Sequence, residues 1–474
     1  MSQQGADQQG ADQPSAKYAG ARRRALKSGA LNGGWLNGRP VALRADSLRL
    51  ERGVTWLLGA FIVVQCFGLP LLGVGPWALW PTLADVVFWL ALLGAALYRC
   101  AVQAYLRPLW GALLLVTTLS LGSFLVLLVM QDGRLGVAVP FGAFQLFKLL
   151  QTLGVFWMVA RLPLHRETLL TWQRLSLFSF VVMVLSVTWT YFAAAIPGFF
   201  GEFLPRGRGV AGPWEAYYRH EELGLGTLGF NHAYVAAMVL LQGAFLMMLR
   251  PARNHTWILL GIVVACFLSG ARAGLVGAVL FVLLEGLRTP LRSTLTVLAV
   301  GVAGLFAMPY LHADLNSLIA RQATILDAGD TGNLAGRGEI WQSYLNSLSS
   351  DPFRLLLGSG MGSAIGNHGV NAHMLVLQVL YETGLVGVTV MGLLFWLLFR
   401  QLSRVHSSRA SIAIHLLLGL WASSFAAETL YPNPAFGSFL PMLALVLVVA
   451  LTPLDSVPLQ TYQPTDFTPV EWED

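Results

Sequence analysis

The sequence predicts an all-α polytopic membrane protein of about twelve transmembrane helices, with a largely helical extracytoplasmic loop between helices nine and ten. Three observations carry that prediction. The 474 residues are 55% hydrophobic and only 11% charged, less than half the roughly 25% charge of a soluble domain. The apolar residues fall in blocks close to the ~20 that a helix needs to cross a bilayer. The basic residues sit on alternate sides of those blocks.

The blocks lie at 53–73, 82–99, 108–130, 138–160, 173–196, 231–249, 256–270, 273–288, 293–309, 373–399, 411–430 and 435–452. Placing the N-terminus in the cytoplasm puts 21 of the 30 Lys and Arg residues on the inside. The basic bias of inner loops then explains most of the net charge of +6 without nucleic acid. Both termini are expected inside, with 1–52 a disordered basic segment, 53–452 the membrane domain and 453–474 a polar acidic tail. The opening repeats QQGADQ, a low-complexity pattern. Some fifty residues precede the first apolar block, so it does not read as a cleavable signal peptide. Cys66, Cys100 and Cys266 lie in or at the ends of apolar blocks, which argues against a disulfide framework or a metal cluster.

Two outer segments are long, 197–230 and 310–372. They and one tight turn hold most of the arginines that break the basic-inside pattern: Arg206, Arg208, Arg219, Arg272, Arg321, Arg337 and Arg354. Within the second segment, 313–326 and 338–348 have helical apolar spacing, and Asp351-Pro352 should end the latter. A glycine-rich stretch follows, Leu355 to His373. It lacks the Gly-Lys-Ser/Thr ending and the strand of a phosphate loop. Two readings remain for it: a tight backbone path over the membrane surface, or an opening through which a bulky substrate nears the backbone beside His373.

His373 stands where that stretch meets the tenth block. The positive end of a helix favours neutral imidazole, the form that accepts a proton from a hydroxyl. Arginine is the residue type that clamps phosphate oxygens. Arg272, in a very short turn between two spans, has no evident surface role. Arg337 either joins such a clamp or pairs with Asp330 or Glu339. His220, Glu221 and Glu222 read as a solvated cluster beside Arg219. At membrane depth, Lys148, Glu382 and Glu428 are each functional or part of an internal pair that fixes packing.

Several segments together resemble the O-antigen ligase and polymerase superfamily. Ala372–Gly387, AHMLVLQVLYETGLVG, is similar to that family's "His, then Leu-Gln, then Glu-x-Gly-Leu-x-Gly" signature. Ser269–Gly274 resembles its Ser-Arg-Gly turn. Gly336–Trp341 followed by Leu357–Gly362 resembles its "Arg…Trp…Gly-x-Gly" loop, and Phe230–Ala233 its Asn-containing span start. Met374 stands where the family often has Asn, and Ala271 where it usually has Ser.

The resemblance implies a glycosyltransferase of the inner membrane whose active site faces the periplasm. It would move a glycan from undecaprenyl diphosphate to a lipid A core sugar, with inversion expected and without metal or other cofactor. On that reading the catalytic residues are His373, the base, and Arg272, which holds the diphosphate. Arg219, Arg206, Arg208 and Arg337 are the candidates for holding the diphosphate, and Glu382, Glu428 and Asn371 support the histidine. A polymerase or protein O-glycosylase of the same superfamily is the alternative, and a transporter a remote one. The partners are the lipid-linked donor, the lipid A core acceptor and membrane lipids, with no nucleic acid, and the default oligomeric state is a monomer.

Overall fold

The computed structural model describes residues 41–68, 82–97, 101–130, 134–195, 226–228, 231–252, 255–288, 318–319, 322–323, 337–433 and 439–452. The chain divides into units 1–49 and 50–474, and everything below concerns the second. The helices are α1 Val41–Val64, α2 Leu83–Leu97, α3 Arg107–Met130, α4 Leu135–Val159, α5 Arg166–Ala195, α6 His232–Leu249 and α7 His255–Leu268. They continue with α8 Arg272–Gly286, α9 Arg337–Ser349, α10 Pro352–Leu357, α11 Ser363–His368, α12 Leu375–Arg404, α13 Ser408–Ser423 and α14 Phe439–Leu451.

A helix overlaps eleven of the twelve expected spans, and the ninth, 293–309, lies outside the described residues. Five of the described helices are long and apolar enough to cross a membrane, and α2, α7 and α14 are shorter apolar helices. The chain is an all-α polytopic membrane protein.

Burial follows from lipid being as apolar as leucine. From Tyr234 to Leu249, α6 is buried on every side, and α14 is buried throughout except at Leu440. Helices α3 and α12 instead turn leucines and a tryptophan outward, among them Leu121, Leu125 and Trp396. Without a hydrophobic force between helices, close approach decides which pairs form. Helices α8 and α13 meet at Gly277 and Gly419, where a Cβ on Gly277 would stand 2.5 Å from the Gly419 carbonyl oxygen.

Lys148 has a partner that its sequence neighbours do not reveal. Its Nζ lies 2.5 Å from Asp85 Oδ1 and 3.0 Å from Gln151 Oε1, with Gln151 Nε2 donating to Asp85 at 2.8 Å. The Thr82 amide and hydroxyl donate to the other Asp85 oxygen, at 2.8 and 2.9 Å. The pair ties α2 to α4, the internal-pair alternative.

The glycine-rich stretch departs from the expectation of a path over the surface. Asp351-Pro352 does end α9, but it also starts α10, with the Asp351 side chain accepting from the Phe353 amide. Residues Gly358 to Gly366 are buried among α3, α4 and α12. The cause is Gly384. Its φ of 68° and ψ of −170° break α12, in a backbone region essentially reserved for glycine. The break frees the carbonyls of Tyr381 and Glu382 from their helical partners. The amides of Ser359 and Gly360 take them, at 2.8 and 3.1 Å, and Ser123 Oγ also donates to the Glu382 carbonyl at 2.6 Å. Gly358, at φ 81° and ψ 173°, closes the same contact from the other side. Non-helical backbone is tolerated at membrane depth only when protein satisfies its polar groups in this way. The helical expectation for 313–326 lies mostly outside the described residues.

Candidate functional site

His373 does not begin α12. It sits two residues earlier with φ of 53°, the only positive φ of a non-glycine among the described residues. Such a conformation persists only where surroundings fix it. Here the His373 amide donates to Glu428 Oε1. Ring Nδ1 lies 3.6 Å from Glu428 Oε2, within ion-pair range and beyond a hydrogen bond. Glu428 is 2% exposed at its side chain and His373 43%, so a buried carboxylate backs an imidazole that reaches an open face.

Glu428 reaches this position because α13 stops at Ser423, short of the expected end at 430. The Ser423 and Ser424 hydroxyls bond back to the Leu420 carbonyl and both meet Thr429 Oγ1 at 2.8 Å. Serine and threonine that satisfy the backbone locally favour a helix end, and Pro432 opposes its resumption. Glu428 thus lies in an irregular strap rather than in a span. The Leu375 amide donates to the Ser424 carbonyl at 3.0 Å and joins that strap to the start of α12.

Two arginines share this neighbourhood. Arg272 is the first residue of α8, after a turn in which Gly270 has φ 70° and Ser269 Oγ accepts from the Ala271 amide at 3.3 Å. Arg337 opens α9. Burial, and then the like charge of Arg272, hold the Arg337 guanidinium below its ordinary value, while Glu428 opposes them. Its electrostatic neighbours are therefore Arg272 and Glu428, not the Glu339 that the sequence offered, and Asp330 lies outside the described residues. Two guanidiniums brought close enough to repel can stabilise an anion with several oxygens. Arg206, Arg208 and Arg219 lie outside the described residues. Arg354 is accounted for by Asp351, 3.5 Å away.

Glu382 is wholly buried, two turns into α12. It accepts from Gln145 Nε2 at 3.1 Å, Gln378 Nε2 at 2.9 Å and Tyr431 Oη at 2.7 Å, and from the Gly362 and Ala364 amides. It does not touch His373. Gln378 stands between them: its Oε1 accepts from the Ala372 amide at 2.8 Å, and its Nε2 is 3.5 Å from Asn371 Oδ1. Asn371 is thus placed against Gln378.

Helix α9 clamps the same segment from outside. Trp341 Nε1 donates to the Ala372 carbonyl and Tyr344 Oη to the Val370 carbonyl, each at 2.7 Å. Gln378, Trp341 and Tyr344 lie within segments that the sequence singles out, but nothing there gives them a role. Gln145 and Tyr431 had no sequence signal linking them to Glu382, because their contacts cross 237 and 49 residues of chain.

At the start of the expected middle span, Asn231 caps α6, its side chain accepting from the Ala233 and Tyr234 amides at 2.8 and 3.2 Å. That is a structural role for the Asn-containing motif.

No curated protein matches the chain. Residues 257–392 match the family model described as O-antigen ligase. The matched stretch runs from α7 into α12 and contains Arg272, Arg337, His373, Gln378 and Glu382. That part of the chain, with the His373 and arginine positions it contains, is similar to the O-antigen ligase family.

Proposed function

We propose that this protein is an O-antigen ligase-type glycosyltransferase. It moves a glycan from undecaprenyl diphosphate to a hydroxyl of a lipid A core sugar, at the periplasmic face of the inner membrane. The observation that carries the reading is the carboxylate of Glu428 set against both the amide and Nδ1 of His373, with Arg337 within electrostatic reach of Glu428 and Arg272.

In this mechanism the Glu428 carboxylate faces Nδ1 at ion-pair distance and Nε2 is left for the acceptor. As the acceptor oxygen bonds to the anomeric carbon, its proton passes to Nε2. The bond from that carbon to the phosphate oxygen breaks, and undecaprenyl diphosphate leaves with the electron pair. Arg272 and Arg337 stabilise the charge that grows on the leaving oxygens, with Arg206, Arg208 or Arg219 as further contacts. Attack opposite the leaving group inverts the anomeric centre. No metal takes part in this scheme, and the chain acts as a monomer with both termini cytoplasmic.

Acceptor choice is tested with purified protein and an undecaprenyl-diphosphate-linked glycan. Lipid A core, a second lipid-linked repeat and a pilin-like protein are offered separately. Transfer to lipid A core supports the ligase. Transfer confined to the second repeat makes the protein a polymerase, and transfer confined to the protein makes it an O-glycosylase.

A further inference from the structure

We infer that Gln378 is a positioning residue, whose carboxamide, held between the Ala372 amide and the Glu382 carboxylate, sets the backbone that presents His373. This rests on the reading of His373 as the base.

The strained backbone is the starting point. The peptide plane between Ala372 and His373 is fixed at both ends, by Trp341 Nε1 on the Ala372 carbonyl and by Glu428 on the His373 amide. The plane before it, between Asn371 and Ala372, has its N–H on Gln378 Oε1. Two successive planes held in this way determine the turn that leads into the positive φ of His373. Gln378 is the contact that holds the first plane, and it comes from α12 itself, one helical turn further on.

The orientation of the Gln378 amide is not free. Ala372 offers a donor, so it requires the oxygen. The Glu382 oxygen that faces Gln378 accepts, so it requires the NH2. Glu382 is placed as an acceptor: the Gln145, Gly362 and Ala364 nitrogens can only donate to it. Gln378 is 1% exposed, so no water substitutes for either partner at its surface. Glu382 therefore reaches the catalytic loop without touching it: it polarises Gln378, and Gln378 fixes Ala372. Glutamine is the residue type that this place demands. Glutamate lacks the donor, and leucine or methionine lacks both groups.

The test compares steady-state transfer by the full-length protein bearing Gln378→Met, Gln378→Glu, Glu382→Gln or the exchange pair Gln378→Glu/Glu382→Gln. His373→Ala is measured alongside. Loss of positioning lowers kcat by about 10²-fold and leaves KM for the lipid-linked donor within about threefold, since a displaced base acts on the chemical step. That split in Gln378→Met, at an unchanged melting temperature, is the expected result. A kcat within about threefold of wild type overturns the role. Should Gln378→Met fail to fold, the exchange pair decides. It restores a donor facing an acceptor between 378 and 382, so it should recover at least about tenfold in kcat over Gln378→Glu. An exchange pair no better than Gln378→Glu overturns the proposal. A fully active His373→Ala overturns this inference together with the base assignment. An inactive His373→Ala beside a fully active Gln378→Met overturns the Gln378 role alone.

Discussion

Glu428 faces His373 twice, its Oε1 accepting from the histidine amide and its Oε2 lying 3.6 Å from ring Nδ1. One carboxylate thereby sets both the backbone and the ring of the proposed base. Glu428→Gln keeps an oxygen for the amide but loses the charge that favours a protonated ring during transfer. We expect kcat to fall by about 10²-fold, with donor KM little changed and the folded yield retained. Glu428→Ala removes both contacts and should lose more. Rates of glycan transfer for the two variants check this order.

Arg337 and Arg272 stand close enough for the like charge of one to be felt by the other. Such a pair is relieved by binding an anion. Arg337→Met should therefore stabilise the free protein slightly, or leave it unchanged, while lowering kcat/KM for the donor by about 10²-fold. Arg337→Lys keeps the charge but not the planar fork, and should recover only part of that loss. Melting temperatures together with kcat/KM for the diphosphate-linked donor give both halves of the test.

Gly384→Ala should unfold the region around the buried loop. A Cβ there would lie 2.2 Å from the Leu356 carbonyl oxygen, at a φ of 68° that alanine rarely adopts. Strain alone contributes about 1–3 kcal/mol, and the backbone clash adds to it. Thermal unfolding in detergent should show a clear loss of melting temperature. Gly392→Ala, on the same helix, places its new methyl where nothing lies within 4 Å, and should show none.

The Lys148–Asp85 pair predicts a non-additive result. Removing one partner by Lys148→Met or Asp85→Leu leaves an uncompensated buried charge, which typically destabilises by about 3–5 kcal/mol. The double variant removes both charges and should be markedly more stable than either single variant. Melting temperatures of the three variants decide it, and additive losses would contradict an ion pair at α2–α4.

Much of the fold was legible because lipid imposes length and polarity on each span, so apolar blocks map onto helices. Arg272, Arg337 and His373 were legible as residues that broke a pattern: cations on the expected outer side, and a histidine at a span boundary. The contacts that organise them were not. Glu428 read as the end of a span, because nothing in its apolar neighbours signals that Ser423 and Ser424 stop α13. The burial of Gly358–Gly366 depends on the break at Gly384, a residue that in sequence is one glycine among 49. Asp85 had no visible link to Lys148, 63 residues away. Long-range polar pairing carries no periodicity, and periodicity is what sequence reading measures.

In the proposed mechanism His373 takes the acceptor proton. The most direct test of that step is the rate of glycan transfer from an undecaprenyl-diphosphate donor by His373→Ala, in protein shown to insert and melt like wild type. A loss of about 10²- to 10⁴-fold is expected. Transfer at the wild-type rate would contradict it.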